Sequence, residues 1–144
     1  MDPGDPGGRP IGVGTDLVDV ERLRGALDRR RGLRARLFTD AEWEYAARHR
    51  DPLPHLAARF AAKESVMKAL GRGMDSMGFT EIVVVRDVHG APGVVLSGRA
   101  EVIADELGVG GWLLTLSHTD SLAQAVAIAV TGSVVATGGA TLVE

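Results

Sequence analysis

Large apolar side chains at Leu56, Phe60, Met67 and Leu70 recur at helical spacing. The spacing predicts a long helix that runs to Leu70 and stops at Gly71, a residue suited to the left-handed turn after a helix. On a wheel at about 100° per residue, these side chains share one direction. Lys63 falls inside their stripe, Glu64 lies at its edge, and Lys68 is about 40° beyond Glu64. A simple surface helix keeps its charges on the far side, and a charge near a core is costly without a partner. Either Lys63 snorkels and Glu64 pairs with Lys68, or this edge faces a ligand.

A period of two marks the start of the chain. From Ile11 to Val20, Ile11, Val13, Thr15 and Leu17 point one way, and Gly12, Gly14, Asp16 and Val18 the other. A short basic helix is predicted over Glu21 to Arg31. Thr39 and Glu42 match a capping box, so a helix follows to about Arg48, before Pro52 and Pro54 punctuate the chain. Strands are expected over Thr80 to Arg86 and Gly93 to Leu96, with a turn near His89-Gly90. Ser97 is placed to cap a helix from Gly98 to Leu107. Strands over Gly111 to Ser117 and Leu122 to Val130 flank a tight turn. The mixture predicts an α+β fold, a mostly antiparallel sheet wrapped on one long central helix. Residues 1–10 read as a flexible Pro/Gly leader, residues 11–131 as one domain, and residues 132–144 as a tail or an edge strand.

The 144 residues suffice for one domain with a real core. A net charge of −3 argues against a nucleic-acid binder. The absence of cysteine excludes a thiol nucleophile, disulfides and Cys-based zinc sites. No apolar run has the length of a membrane span, and MDPGDPGGRP lacks the pattern of a secretory signal, so a cytoplasmic protein is expected.

Four constellations are candidates for chemistry. Asp16 shares its strand face with Gly12 and Gly14, which leave room for a close approach; it is also a plausible turn former at a strand end. Glu64 and Lys68 stand at i, i+4, which alone describes a surface ion pair. With Lys63 and Arg59 nearby, the group holds three cations and one carboxylate, a set that suits a phosphate ester with a hard divalent cation. Ser117, His118 and Thr119 lie at a hairpin turn, where a His is an ordinary surface residue or a partner for a phosphate or leaving oxygen. Arg22, Arg24 and Arg29-Arg30-Arg31 form a basic segment, either a solvated face or a dock for an acidic partner. No Walker loop, dinucleotide fingerprint, HExxH or G-x-S-x-G elbow is present.

Together these segments resemble a known family. Ile-Gly-Val-Gly-Thr-Asp16-Leu-Val-Asp-Val-Glu-Arg22, Leu37-Phe-Thr-x-x-Glu42, Arg59-Phe-Ala-Ala-Lys63-Glu64-Ser-Val-Met-Lys68-Ala-Leu-Gly71 and Leu116-Ser-His118-Thr resemble, in order, the signatures of the holo-(acyl carrier protein) synthases. These are the short 4′-phosphopantetheinyl transferases, and the likeness covers roughly residues 11 to 130. It implies transfer of 4′-phosphopantetheine from coenzyme A to a serine of an apo acyl carrier protein, with release of adenosine 3′,5′-bisphosphate. It further implies that Asp16 and Glu64 hold Mg²⁺, that Lys68 neutralises the attacked phosphate, and that Arg59 meets the nucleotide 3′-phosphate. Lys63, Gly71, Ser117, His118 and Thr119 join the coenzyme A set, with Lys63 alternatively pairing with an acid elsewhere. Arg22 and Arg24 face the carrier protein.

Larger relatives have an acid two residues beyond the first metal Asp, whereas Val18 stands here, so water must take that place. This points to the small subclass, which resembles homotrimers with active sites between subunits. Two other classes remain at this point: a module that binds coenzyme A or a carrier without turnover, and a plain structural domain.

Overall fold

The computed structural model describes residues 8–73 and 75–132. The alternating segment forms strand β1 (Pro10–Asp19). Asp19 then caps helix α1 (Val20–Arg29), its Oδ1 accepting from the Arg22 N–H at 2.9 Å. A helix too short for periodicity to reveal, α2 (Leu33–Leu37), follows. The Thr39–Glu42 capping box closes and starts α3 (Asp40–Ala47). Helix α4 (Leu53–Ala69) ends in a Schellman turn at Gly71. There the Gly71 N–H donates to the Lys68 carbonyl at 3.0 Å and the Arg72 N–H to the Met67 carbonyl at 3.1 Å. Strands β2 (Ile82–Arg86) and β3 (Pro92–Leu96) make a hairpin, helix α5 (Gly98–Glu106) follows, and β4 (Gly111–His118) and β5 (Leu122–Val130) complete the order. Ser97 stands at the N-cap of α5 but makes no capping bond. Glu81 takes that part, its Oε1 accepting the Arg99 N–H at 2.6 Å.

The strands pair antiparallel, in two sheets rather than one: β1-β5-β4 and β2-β3. Helix α4 packs on β1, β4 and β5 and also reaches β2. Inward-facing rows of the larger sheet read Gly14–Ala127–Leu114 and Asp16–Ala125–Leu116. Ala58, Ala61, Ala62 and Ser65 of α4 are fully buried, so small side chains dominate the seam. The backbones therefore approach closely, and Ser65 Oγ lies 3.1 Å from the Ala125 carbonyl oxygen.

Gly12 and Gly14 sit where β1 meets α4. A Cβ on Gly12 would overlap the carbonyl oxygen of Ala69, and one on Gly14 that of Ser65. Backbone atoms cannot swing aside, so Gly14→Ala should cost about 3 kcal/mol, the upper end for overpacking. Urea unfolding measures this, and a loss well below about 1 kcal/mol would contradict the close approach.

The other face of the larger sheet carries the rows Val13–Ile128–Leu113 and Leu17–Gln124–Ser117. Val13 is 67% exposed and Leu17 63%. Arg9 and Thr131 exchange hydrogen bonds beside β1. Residues 1–7 of that leader, and the tail beyond residue 132, lie outside the described residues.

Candidate active site

Strand β1 and helix α4 bring together three side chains, Asp16 from the strand and Glu64 and Lys68 from the helix. Lys68 Nζ donates to the Thr15 carbonyl at 2.8 Å and to Asp16 Oδ1 at 3.2 Å. Lys68 thus reaches across to the strand rather than pairing with Glu64 along its own helix. Burial pushes the Glu64 carboxyl above the usual carboxylate range; the negative charge of Asp16 adds to this, and Lys68 opposes it. Two acids therefore face one another over a single amine. Asp16, Glu64 and Lys68 line a cleft of about 640 Å³ together with Arg22, Arg30 and Arg36.

This donor set suits a hard divalent cation. Carboxylate oxygens are its preferred ligands, and a second positive charge would relieve the repulsion that raises Glu64. Among the described residues no group of three or more His, Asp or Glu forms a metal cage. Val18, at the place of the third acid in larger relatives, is buried in the core. A hard cation held by these two carboxylates would need water or other oxygens to complete its shell.

The sequence pattern of the 4′-phosphopantetheinyl transferase superfamily matches residues 12–130. The chain belongs to that superfamily. It is 43% identical over 122 residues to holo-(acyl-carrier-protein) synthase of Caldanaerobacter subterraneus, covering 85% of this chain and 96% of that one. Its identity to the synthase of Moorella thermoacetica is 47% over 117 residues, covering 81% and 91%. The fold superposes with a TM-score of 0.71, at 26% identity, on the Bacillus anthracis holo-(acyl-carrier-protein) synthase in complex with CoA (3′,5′-ADP). That likeness covers 87% of this chain and 100% of the other.

In this transferase the remaining candidate residues divide into distinct places. Lys63 has no exposed surface. Its Nζ lies 2.6 Å from Glu42 Oε1 and donates to the Phe79 carbonyl at 3.0 Å. It therefore leaves the coenzyme A set and takes the other reading, a structural pair with an acid. Arg24 is likewise committed, at 2.7 Å from Asp51 Oδ2 and 3.3 Å from Glu21. Gly71 shapes the end of α4 and lines a smaller hollow with Lys68. Ser117 is exposed on the outer face of the sheet, away from α4. Thr119 holds the β4–β5 turn, its Oγ1 accepting from the Leu122 N–H at 3.1 Å.

Arg59 and His118 lie elsewhere, each against His55, beside the N-terminal half of α4. Arg59 is almost wholly buried, with its guanidinium 4.1 Å above the Tyr45 ring. His118 touches His55 edge-on, with ring centroids 4.8 Å apart.

Sequence reasoning missed Glu42 as the partner of Lys63. The capping box accounted for Glu42 completely, yet its carboxylate also accepts the Val84 N–H at 3.2 Å. It also missed Arg36, His49, His55 and Arg86, which no local spacing connects, whereas Arg30 belongs to the basic segment already read as a possible dock.

No helix among the described residues is long and apolar enough to cross a membrane.

Proposed function

We propose that this chain transfers 4′-phosphopantetheine from coenzyme A to a serine hydroxyl of an apo acyl carrier protein, releasing adenosine 3′,5′-bisphosphate. The observation that carries the reading is the meeting of Asp16, Glu64 and Lys68 in one cleft with Arg22. The reacting domain spans residues 11–131, and its setting is the cytoplasm.

Asp16 and Glu64 would hold Mg²⁺, which supplies charge neutralisation for the pyrophosphate when bound. The Lys68 ammonium, already seated between Asp16 and the Thr15 carbonyl, balances the charge that develops on the phosphate oxygens. Arg59 and His118 take the phosphate-bearing end of the nucleotide. Arg22 draws the acidic surface of the carrier to the cleft, with Arg30 and Arg36 beside it. Both carboxylates work as anions in this account, so Lys68 has a second effect: it lowers the Glu64 pKa. Lys68→Ala should therefore cut kcat/KM about a hundredfold, equivalent to about 2.7 kcal/mol. It should also move the acid limb of the pH–rate profile to higher pH, because Glu64 then ionises later. An unchanged acid limb would separate Lys68 from Glu64.

The outer sheet face favours a homotrimer with sites between subunits. Ile11, Val13, Leu17, Leu113 and Leu122 are each at least 40% exposed on three adjacent strands, an apolar surface of the kind that marks association. Light scattering should give three times the chain mass, and Val13→Lys should lower both mass and activity. A monomer with full activity would overturn this arrangement.

The reaction is tested by following the nucleotide product. Adenosine 3′,5′-bisphosphate should appear from coenzyme A only when both Mg²⁺ and an apo carrier are present. Coenzyme A bound but never cleaved would leave a binding module instead.

A further inference from the structure

The chain offers few side chains that form lasting acyl adducts. Of its 16 Lys and Arg residues only Lys63 and Lys68 are lysines, and it contains no cysteine. Guanidinium groups stay protonated and are poor nucleophiles. The two ε-amines are therefore the side chains open to acylation, and the fold separates them. Lys63 has no exposed surface, and its Nζ is held by Glu42 Oε1 at 2.6 Å and the Phe79 carbonyl at 3.0 Å. A reagent reaches it only when that part of the core opens. The Lys68 side chain is 53% exposed and stands in the wall of the 640 Å³ cleft, where an acyl group has room.

The cleft also favours one class of donor. Arg22, Arg30 and Arg36 line it, and a guanidinium fork binds phosphoryl oxygens in pairs. An acyl phosphate carries a phosphoryl group beside an activated carbonyl. Asp16, Asp19 and Glu64 line the same cleft, so recognition depends on the guanidinium geometry rather than on net charge.

We propose that Lys68 is a single acylation site that turns the transfer site off, with acyl phosphates as donors. The loss of transfer rests on the reading above; the place of modification does not. In the step, Lys68 Nζ attacks the carbonyl carbon as the free amine. A C–N bond forms and the bond from that carbon to the phosphate oxygen breaks. Inorganic phosphate leaves with the electron pair, and the amine proton passes to solvent. The amide has no charge and keeps one N–H. Lys68 Nζ now donates to both the Thr15 carbonyl at 2.8 Å and Asp16 Oδ1 at 3.2 Å, and one N–H aimed at either leaves the other. The positive charge that faces Asp16 and Glu64 is lost as well. The buried pair of Lys63 and Glu42 is untouched, so the chain stays folded.

The test treats the full chain with acetyl phosphate and maps acetyl groups by mass spectrometry of the intact chain and its peptides, with the N-terminal amine scored apart. Acetyl occupancy of Lys68 should exceed that of Lys63 by about a hundredfold or more, and in urea the two should react alike. Phosphopantetheine transfer should fall in proportion to Lys68 occupancy, with the far-UV circular dichroism spectrum unchanged. Inorganic phosphate should slow the acetylation severalfold relative to chloride at equal ionic strength. Lys68→Arg should take up no acetyl group at that position and almost none at Lys63. Equal occupancy of the two lysines in the folded chain would overturn the site. So would an unmodified Lys68 under a treatment that acetylates the urea-unfolded chain. Full transfer at full Lys68 occupancy would overturn the switch, and equal rates in phosphate and chloride would overturn the choice of donor. An untreated chain that transfers nothing refutes the earlier reading alone, because the acetylation map is read by mass.

Discussion

Glu64→Gln is expected to fold normally and to transfer phosphopantetheine about a thousandfold more slowly than the parent, or worse. The amide keeps the shape of the side chain but removes the charge. In the parent, burial and Asp16 raise the Glu64 pKa, so the ionised carboxylate costs folding free energy. The sign follows directly. Stability falls as pH rises through the ordinary carboxylate value towards the raised folded value, and Gln removes that loss. The variant should therefore match or exceed the parent's melting temperature near pH 7 in the absence of ligand. Adding Mg²⁺ with coenzyme A should reverse the order. A ligand at about 100 times Kd stabilises by about 2.7 kcal/mol, and Glu64→Gln should lose most of that gain. Thermal unfolding with and without the ligands measures both halves. A variant that is unstable in every condition would assign Glu64 to the fold rather than to the chemistry.

The largest effect on stability belongs to the buried pair of Glu42 and Lys63. Glu42 joins three elements: it caps α3 through the Thr39 N–H at 3.0 Å, accepts from Val84 of β2, and binds Lys63 of α4. Burial pulls the Lys63 pKa below the usual lysine value even with Glu42 beside it, so desolvation outweighs the attraction. Removing one partner leaves the other charge buried alone. Lys63→Met and Glu42→Gln should each cost about 3–5 kcal/mol. The double variant should lose less than the sum, because neither charge remains uncompensated. A chemical-denaturation cycle gives the coupling. Strict additivity would mean that the two groups act independently.

Where one side chain's spacing decided the outcome, the sequence was readable. The Gly12-Gly14-Asp16 face, the Thr39–Glu42 box and the stop at Gly71 all depend on local rules, and each was met in the structure. So was the anomaly of Lys63 inside an apolar stripe, although not its partner. Long-range pairing was the harder part. Lys68 could bond Glu64 one turn away or Asp16 on a strand, and only the glycine-lined approach of β1 to α4 selects the strand. The histidine cluster draws His49, His55 and His118 from separate segments. The division into two sheets depended on β2 and β3 forming a hairpin of their own, which strand periodicity does not reveal. The metal role proposed for Asp16 and Glu64 comes from family resemblance and not from spacing, since a surface ion pair and a metal ligand on a helix such as α4 look the same in sequence.

The central claim is that the cleft between β1 and α4 transfers phosphopantetheine to a carrier serine. Mass spectrometry of an apo acyl carrier protein after incubation with this chain, coenzyme A and Mg²⁺ tests it most directly. The account predicts a gain of one phosphopantetheine on the carrier, abolished by EDTA and by Glu64→Gln. A carrier of unchanged mass across several apo carriers, from folded protein that binds coenzyme A, would contradict it.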